Sequence, residues 1–368
     1  ARRGRMSKEE GLISKWYGIY GSRQAGAHMA RVVRPGGVVS SSEARDIATL
    51  AERYAQGRIS VTTRQALQYH WLKAGALPDL LRDLSDAGLS TFHGCGDVPR
   101  NVAACPWAET CPHKRIDVLP YALETARNLT ESRDLDNLPR KYKVTYSGCA
   151  AACGQPYINC TGAIAVRRQT EQGGTEDGFR IVIGGGMGWR GFVAQELYGF
   201  VPADRVVAVC RAIGLLFRDH GDRWDRAKSR LKFVVHRLGI DHCRQVVDEH
   251  LDREGVDRSG IIATPVEDVG PAIPERPLTE SDPIGSDGKA IQRIMVPMGE
   301  ISFRDFRRLA ELSEAYGDKR LIATNRQNLE IHGVDPAQVP ALRAVIDGMG
   351  LRSSGFYGMA DMVPCVGR

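Results

Sequence analysis

The sequence predicts an α+β fold with pseudo-two-fold architecture: duplicated ferredoxin-like (βαββαβ) units plus a larger α/β domain between them. The leading observation is an internal repeat. Residues 35–92 align with 297–354 at a constant offset of 262, without a gap. Identical pairs include Pro35/Pro297, Gly37/Gly299, Arg45/Arg307, Glu52/Glu314, Arg64/Arg326, Gln65/Gln327, His70/His332 and Gly88/Gly350. So many identities in one register are the mark of duplication. The second observation is a strand and helix pattern shared by both copies. The third is a cysteine-bearing segment between them that resembles neither.

In the first copy Ser40-Ser-Ser-Glu43 is a capping box, and Ala44, Ile47, Ala48, Ala51 and Tyr54 then recur on one helical face. Gly57 ends that helix. Short β-like runs at 29–33, 59–62 and 66–71 flank it, and a second helix runs from near Pro78 to Gly88. The second copy repeats the scheme with Ser302-x-x-Asp305, Phe306, Leu309, Leu312, Tyr316 and Gly317. The order strand–helix–strand–strand–helix–strand is the ferredoxin-like topology.

Between the copies, a β-like run Phe179–Ile183 ends in Gly184-Gly-Gly-Met-Gly188, and helical stretches follow at about 203–219 and 225–253. A segment rich in Pro, Asp, Gly and Ser reads as a linker. The expected organisation is a first half-domain over 1–93, the large domain over 94–262, the linker over 263–288 and a second half-domain over 289–362. Residues 363–368 read as the opening of a second large domain, so the chain is expected to be truncated before it.

Composition narrows the function. Of 368 residues, 42% are hydrophobic and 26% charged, with a net charge of +6. That is globular and only mildly basic. It excludes a nucleic-acid binder and suits an enzyme that collects small anions. No run of eighteen apolar residues occurs, so no membrane span is expected. With no secretion signal read, the clustered cysteines favour metal or redox chemistry over disulfides, and a cytoplasmic location. The 40 glycines are in excess, which suggests close backbone approach to something.

Three groups of residues carry chemistry. Cys105-x5-Cys111 with Cys149-x3-Cys153 offers four soft sulfur ligands for an iron–sulfur cluster or a zinc ion, although neither pair has the usual zinc spacing. Unligated thiols are the alternative. Cys95, Cys160, Cys210 and Cys243 read as small core residues. The second group is basic: Arg64, Arg100 and the pair Lys141 and Lys143, two apart on a β-like run and therefore on one face. Arginine forks hold oxyanions and lysines relay protons, although each residue alone reads as a solvated charge. The third is Gly186-x-Gly188-x-x-Gly191, which formally matches a dinucleotide fingerprint but lacks the surrounding βαβ unit.

Together, Thr62-Thr-Arg-Gln65, Gly96-Asp-Val-Pro-Arg-Asn101, Leu138-Pro-Arg-Lys-Tyr-Lys143, Gly184-Gly-Gly186 and Arg230-Leu-Lys-Phe-Val-Val-His-Arg-Leu-Gly239 resemble the sirohaem- and [4Fe–4S]-dependent sulfite/nitrite reductase family, in order along the whole chain. The resemblance implies sirohaem and a [4Fe–4S] cluster as cofactors, with one cysteine bridging the two. It implies a six-electron reduction of sulfite to sulfide or nitrite to ammonium, driven by a ferredoxin or a flavoprotein. By resemblance Arg64, Arg100, Lys141 and Lys143 grip the anion, while Asn101, Gly184, Gly185 and Gly186 lie near the macrocycle or its carboxylates.

One departure concerns the cysteines. In fused family members the working cluster belongs to the second large repeat, whose first ligand here would be Cys365. Cys105, Cys111, Cys149 and Cys153 are then either a relic of duplication or a second working site. Other readings are a dissimilatory-type subunit with its own cluster at Cys105–Cys153, a non-enzymatic cysteine–metal module, and a related precorrin-oxidising enzyme. Oligomeric state is not legible.

Overall fold

The computed structural model describes residues 6–22, 24–188, 190–273 and 283–364. Cys365 therefore lies outside the described residues. The chain divides into two compact units, Ala1–Cys95 with Glu275–Arg368, and Gly96–Pro274.

Along the chain, α1 (Lys8–Ile13), β1 (Ile19–Gly21), β2 (Ala27–Val32), β3 (Val38–Ser40), α2 (Ser41–Tyr54), β4 (Arg58–Val61), β5 (Leu67–Lys73) and α3 (Leu77–Asp86) come first. The middle unit holds β6 (Ala103–Ala104), α4 (Leu119–Glu131), β7 (Val144–Ser147), β8 (Thr161–Gln169), β9 (Thr175–Ile183), β10 (Gln195–Pro202), α5 (Val206–His220), α6 (Leu231–Leu238) and α7 (Ile240–Arg253). The second copy contributes β11 (Ala290–Ile294), β12 (Glu300–Ser302), α8 (Phe303–Tyr316), β13 (Arg320–Ala323), β14 (Leu329–Val334) and α9 (Val339–Gly348).

The duplication governs the first unit. Helices α2 and α8 start at equivalent residues, each capped by the preceding serine: Ser40 Oγ accepts from Glu43 N–H and Ser302 Oγ from Asp305 N–H. Ala44, Ile47, Ala48 and Ala51 on α2, and Phe306, Leu309, Ala310 and Leu312 on α8, enter one shared core. Arg45 pairs with Glu314 at 2.6 Å and Arg307 with Glu52 at 3.3 Å, so equivalent residues make reciprocal bridges.

The sheets depart from the predicted pattern in two ways. The closing strand of each βαββαβ copy shrinks to a single contact, Val33 N–H to Ser90 O in one copy and Met295 N–H to Arg352 O in the other. The opposite edges are extended by exchange. Strand β12 pairs with β4 and β3 pairs with β13, giving the orders β1-β2-β5-β4-β12 and β11-β14-β13-β3. Each sheet is thus completed by three residues of the other copy. Buried glutamines lock the exchange: Gln65 donates to Ala323 O, and its equivalent Gln327 donates to Val61 O.

The middle unit is a five-stranded sheet of order β10-β9-β8-β7-β6, with β6, β7 and β8 parallel and β8, β9 and β10 antiparallel. The helical stretch expected over 225–253 begins only at Leu231 and is broken in two. Gly239 lies between α6 and α7 at φ +81°, a left-handed conformation through which a helix cannot run. The start of the expected linker is docked on this unit. Asp268 accepts from Arg115 and from the Arg167 N–H, and Arg180 donates to Val266 O.

Candidate anion and cluster sites

The sheet of the middle unit sorts the candidate residues by the end of the strand on which they fall. At the starting ends of the parallel strands, Arg100 and Asn101 precede β6, Lys141 and Lys143 precede β7, and Cys160 immediately precedes β8. Gly184 immediately follows β9, whose Ile183 faces Thr161. These positions lie side by side. Arg100 N–H donates to Tyr142 O, Thr161 N–H to Lys143 O, and Gly184 N–H to Cys160 O. Tyr142 is fully buried, with its hydroxyl bonded to Thr161 and to Cys210 O. Strand alternation therefore turns Lys141 and Lys143, both half-buried, to the opposite face together, as the sequence implied.

The structure adds two cations to this row. Lys232 is only 3% exposed and donates to the carbonyls of Gly186 and Arg190. Arg230 Nη2 donates to Cys160 Sγ at 3.7 Å. Burial, then Arg230 and Arg190, lower the Lys232 ammonium, while Cys160 opposes them. Arg230 and Lys232 stand in one of the motifs that carry the family resemblance, but their spacing alone assigned them no role. Cys160 offered no signal beyond being a cysteine and was expected to be core.

The glycine loop has an internal use. Gly184 has φ +83°, and a Cβ on Gly185 would run into the carbonyls of Tyr157 and Asn159. Gly186 is different. A Cβ there would first meet the side chains of Lys232 and Arg230, so this backbone faces the cations.

The four candidate ligands lie at the other end of the same strands. Cys105 immediately follows β6, and its N–H donates to Tyr146 O. Cys149 follows β7, and Cys153 closes a tight loop in which Ala152 and Gln155 have φ +54° and +58°. Gly154 N–H on Ser147 Oγ and Thr145 Oγ1 on Gly154 O pin that loop to β7. The four residues of β7, at about 3.3 Å each, separate the backbone of Lys143 from the loop that begins at its far end and carries Cys149. Cys105, Cys111 and Cys149 are buried and Cys153 is partly exposed. Contact with Cys153, then burial, pushes the Cys105 thiol well up, and contact with Cys111, then burial, does the same to Cys149.

Among the described residues, no three His, Cys, Asp or Glu side chains converge on a point that one ion could fill. The sulfurs instead form two contacting pairs. Four cysteines, three of them buried, fit a four-thiolate iron–sulfur cluster by donor chemistry, and its iron would supply the positive charge that four thiolates this close together need.

Arg64 occupies the turn after β4 in the first unit, its N–H on Thr62 Oγ1. Its equivalent Arg326 is engaged by Asp361, which takes Nε at 2.9 Å and Nη2 on its backbone carbonyl at 2.6 Å.

Comparison with known proteins matches residues 95–254 to the nitrite and sulphite reductase 4Fe-4S domain. Residues 20–87 and 285–348 match the nitrite/sulfite reductase ferredoxin-like half domain. An assimilatory ferredoxin-dependent nitrite reductase of Haloferax mediterranei is 31% identical over 335 residues, covering 85% of this chain and 56% of that protein. A ferredoxin sulfite reductase of Mycobacterium tuberculosis is 29% identical over 375 residues, covering 96% and 64%. The solved structure of M. tuberculosis NirA protein superposes with a TM-score of 0.82 at 29% identity, over 95% of this chain and 64% of that one. A dissimilatory sulfite reductase shares the fold alone, at 13% identity and a TM-score of 0.52. The chain thus spans a little over half to under two thirds of the curated relatives named here.

Proposed function

Because the chain belongs to the nitrite and sulphite reductase family, we propose that it takes part in the six-electron reduction of sulfite to sulfide or of nitrite to ammonium. The observation that carries this reading is the row of Arg100, Lys141 and Lys143 along one sheet end, with Arg230 and the buried Lys232 beside the glycine loop. Such a row is costly for a fold to assemble without an anion to hold.

The Arg100 fork suits two oxygens of a small oxyanion. Lys141 and Lys143 neutralise its charge and can deliver protons as oxygen leaves as water. Arg64 is kept in this set on the resemblance alone. Asn101 and the backbone of Gly184, Gly185 and Gly186 border the row, and the cations beside Gly186 suit the carboxylates of sirohaem. Sirohaem and a [4Fe–4S] cluster would supply the metal to which the anion binds and the path for single electrons. Cys105, Cys111, Cys149 and Cys153 would hold a cluster in this unit.

The relatives are named for ferredoxin, and we take a ferredoxin as the donor, with a flavoprotein as the alternative. Among the described residues no helix is long and apolar enough to cross a membrane. We place the protein in the cytoplasm because its clustered cysteines suit metal or redox chemistry rather than disulfides. In the complete enzyme, Lys143→Met should lower sulfite or nitrite turnover at least about a hundredfold while leaving the visible spectrum in place. Unchanged turnover would remove the row from the reaction.

A further inference from the structure

The turn that carries Arg64 is built twice, and the proposed reaction leaves its second arginine, Arg326, unused. Both turns are held by the same bonds. Thr62 Oγ1 accepts from Arg64 N–H at 3.3 Å and from Ala66 N–H at 3.1 Å. Thr324 Oγ1 accepts from Arg326 N–H at 3.2 Å and from Asn328 N–H at 3.1 Å. Gln65 and Gln327 share a left-handed φ of +60° and +63°. One position differs. Where the first copy has the fully buried Ala66, the second has Asn328, and a later segment of the same unit folds back onto it. In that segment Phe356 is buried with the Arg293 guanidinium 4.3 Å from its ring, and the Tyr357 ring lies 4.5 Å from the Arg326 guanidinium. The two rings seat the segment so that Asp361 meets the arginine.

We propose that Asp361 is an internal ligand: its carboxylate fills an anion-binding position on the second turn, a latent site for a small planar monoanion such as formate or nitrite. Donors enclose the carboxylate. Arg326 Nε and Tyr357 N–H donate to Oδ2, both at 2.9 Å, and Asn328 Nδ2 donates to Oδ1 at 2.7 Å. The Asp361 side chain is only 2% exposed, and a carboxylate so deep is stable only when paired and hydrogen-bonded. The arginine comes with the duplicated turn, whereas the Asn328 amide has no counterpart at Ala66. Tyr357 stands at φ +60°, uncommon for a residue with a side chain, and its N–H is one of the three donors. Formate and nitrite likewise spread one charge over two oxygens on a single central atom. Either suits the same donors once the aspartate side chain is removed.

That an arginine on such a turn serves the reacting anion rests on the function proposed above, whereas the occupancy by Asp361 does not, and the experiment separates them. Thermal denaturation of the full chain is compared between the parent, Asp361→Ala and Asp361→Ala/Arg326→Gln, in chloride, formate or nitrite at constant ionic strength. In chloride, Asp361→Ala should melt about 5–10 °C below the parent, because Arg326 loses its buried partner. Formate or nitrite should recover at least half of that drop by filling the vacated position. Recovery by either anion, without a matching rise in the parent or the double variant, supports the internal ligand. A midpoint moved by neither anion, or moved equally in the parent, overturns it. If Asp361→Ala does not fold, the isosteric Asp361→Asn is made in the parent and in Arg326→Gln. A loss at least about threefold smaller in the Arg326→Gln background supports the proposal, and equal losses overturn it. Full turnover in Lys143→Met overturns the functional reading instead and leaves the anion recovery standing.

Discussion

The two ends of the middle sheet shift their cysteines in opposite directions. At the end where β7 and β8 begin, Arg230 and Lys143 draw the Cys160 thiol down despite its complete burial. At the end where β6 and β7 finish, Cys105 and Cys149 are pushed up by contact with other thiols and by burial. Burial is common to both ends, so burial does not decide the direction of the shift. The neighbours decide it. One end carries its cations as side chains, and under the function proposed here the other receives positive charge from a cluster. On that proposal the unit has an anion end and a cluster end, joined by strands only a few residues long.

The largest effect that could break this division is at the cluster end. Cys149→Ser should remove most of the iron from the protein, whereas Cys210→Ser, a buried thiol outside the set, should leave it intact. Iron analysis of both variants checks this, and retention of iron in Cys149→Ser would return the four cysteines to a relic of duplication. Next is the loop that borders the anion end. Gly185→Ala places a methyl group against the Tyr157 and Asn159 carbonyls and should cost about 1–3 kcal/mol in a urea melt. Gly191→Ala meets nothing within 4 Å and should stay within about 0.5 kcal/mol of the parent.

The smallest effect is in pH dependence and has opposite signs for two thiols. The folded value of Cys160 is lowered, so its contribution to stability is present above the ordinary thiol value and is lost as pH falls through the folded value. The folded value of Cys210 is raised to about 12 from 9.0, so its contribution is complete below pH 9 and is lost as pH rises toward 12. Denaturation midpoints across pH should therefore lose an upward trend in Cys160→Ser and an alkaline decline in Cys210→Ser. Equal profiles for the two variants would erase the contrast between a thiol beside cations and one without them.

Much of this was legible in the sequence, and the exceptions have physical reasons. The capped helices after Ser40 and Ser302 announced themselves because capping and apolar spacing are local. The exchange of β3 and β12 did not, because a three-residue strand has almost no pattern and its partner is more than two hundred residues away. The break at Gly239 was missed because apolar periodicity resumes on both sides of it. Lys141 and Lys143 were placed on one face by alternation alone. Arg230, Lys232 and Cys160 reach the same place from a helix start and a strand start far apart in the chain, and only the sheet register brings them together.

The most direct test of the division measures iron content and sulfite or nitrite turnover on one preparation of the complete enzyme carrying Lys143→Met. We predict the full iron content of the parent and turnover reduced at least about a hundredfold, because the substitution disarms the anion end without reaching the cluster end. Iron lost in step with turnover, or turnover unchanged, would contradict it.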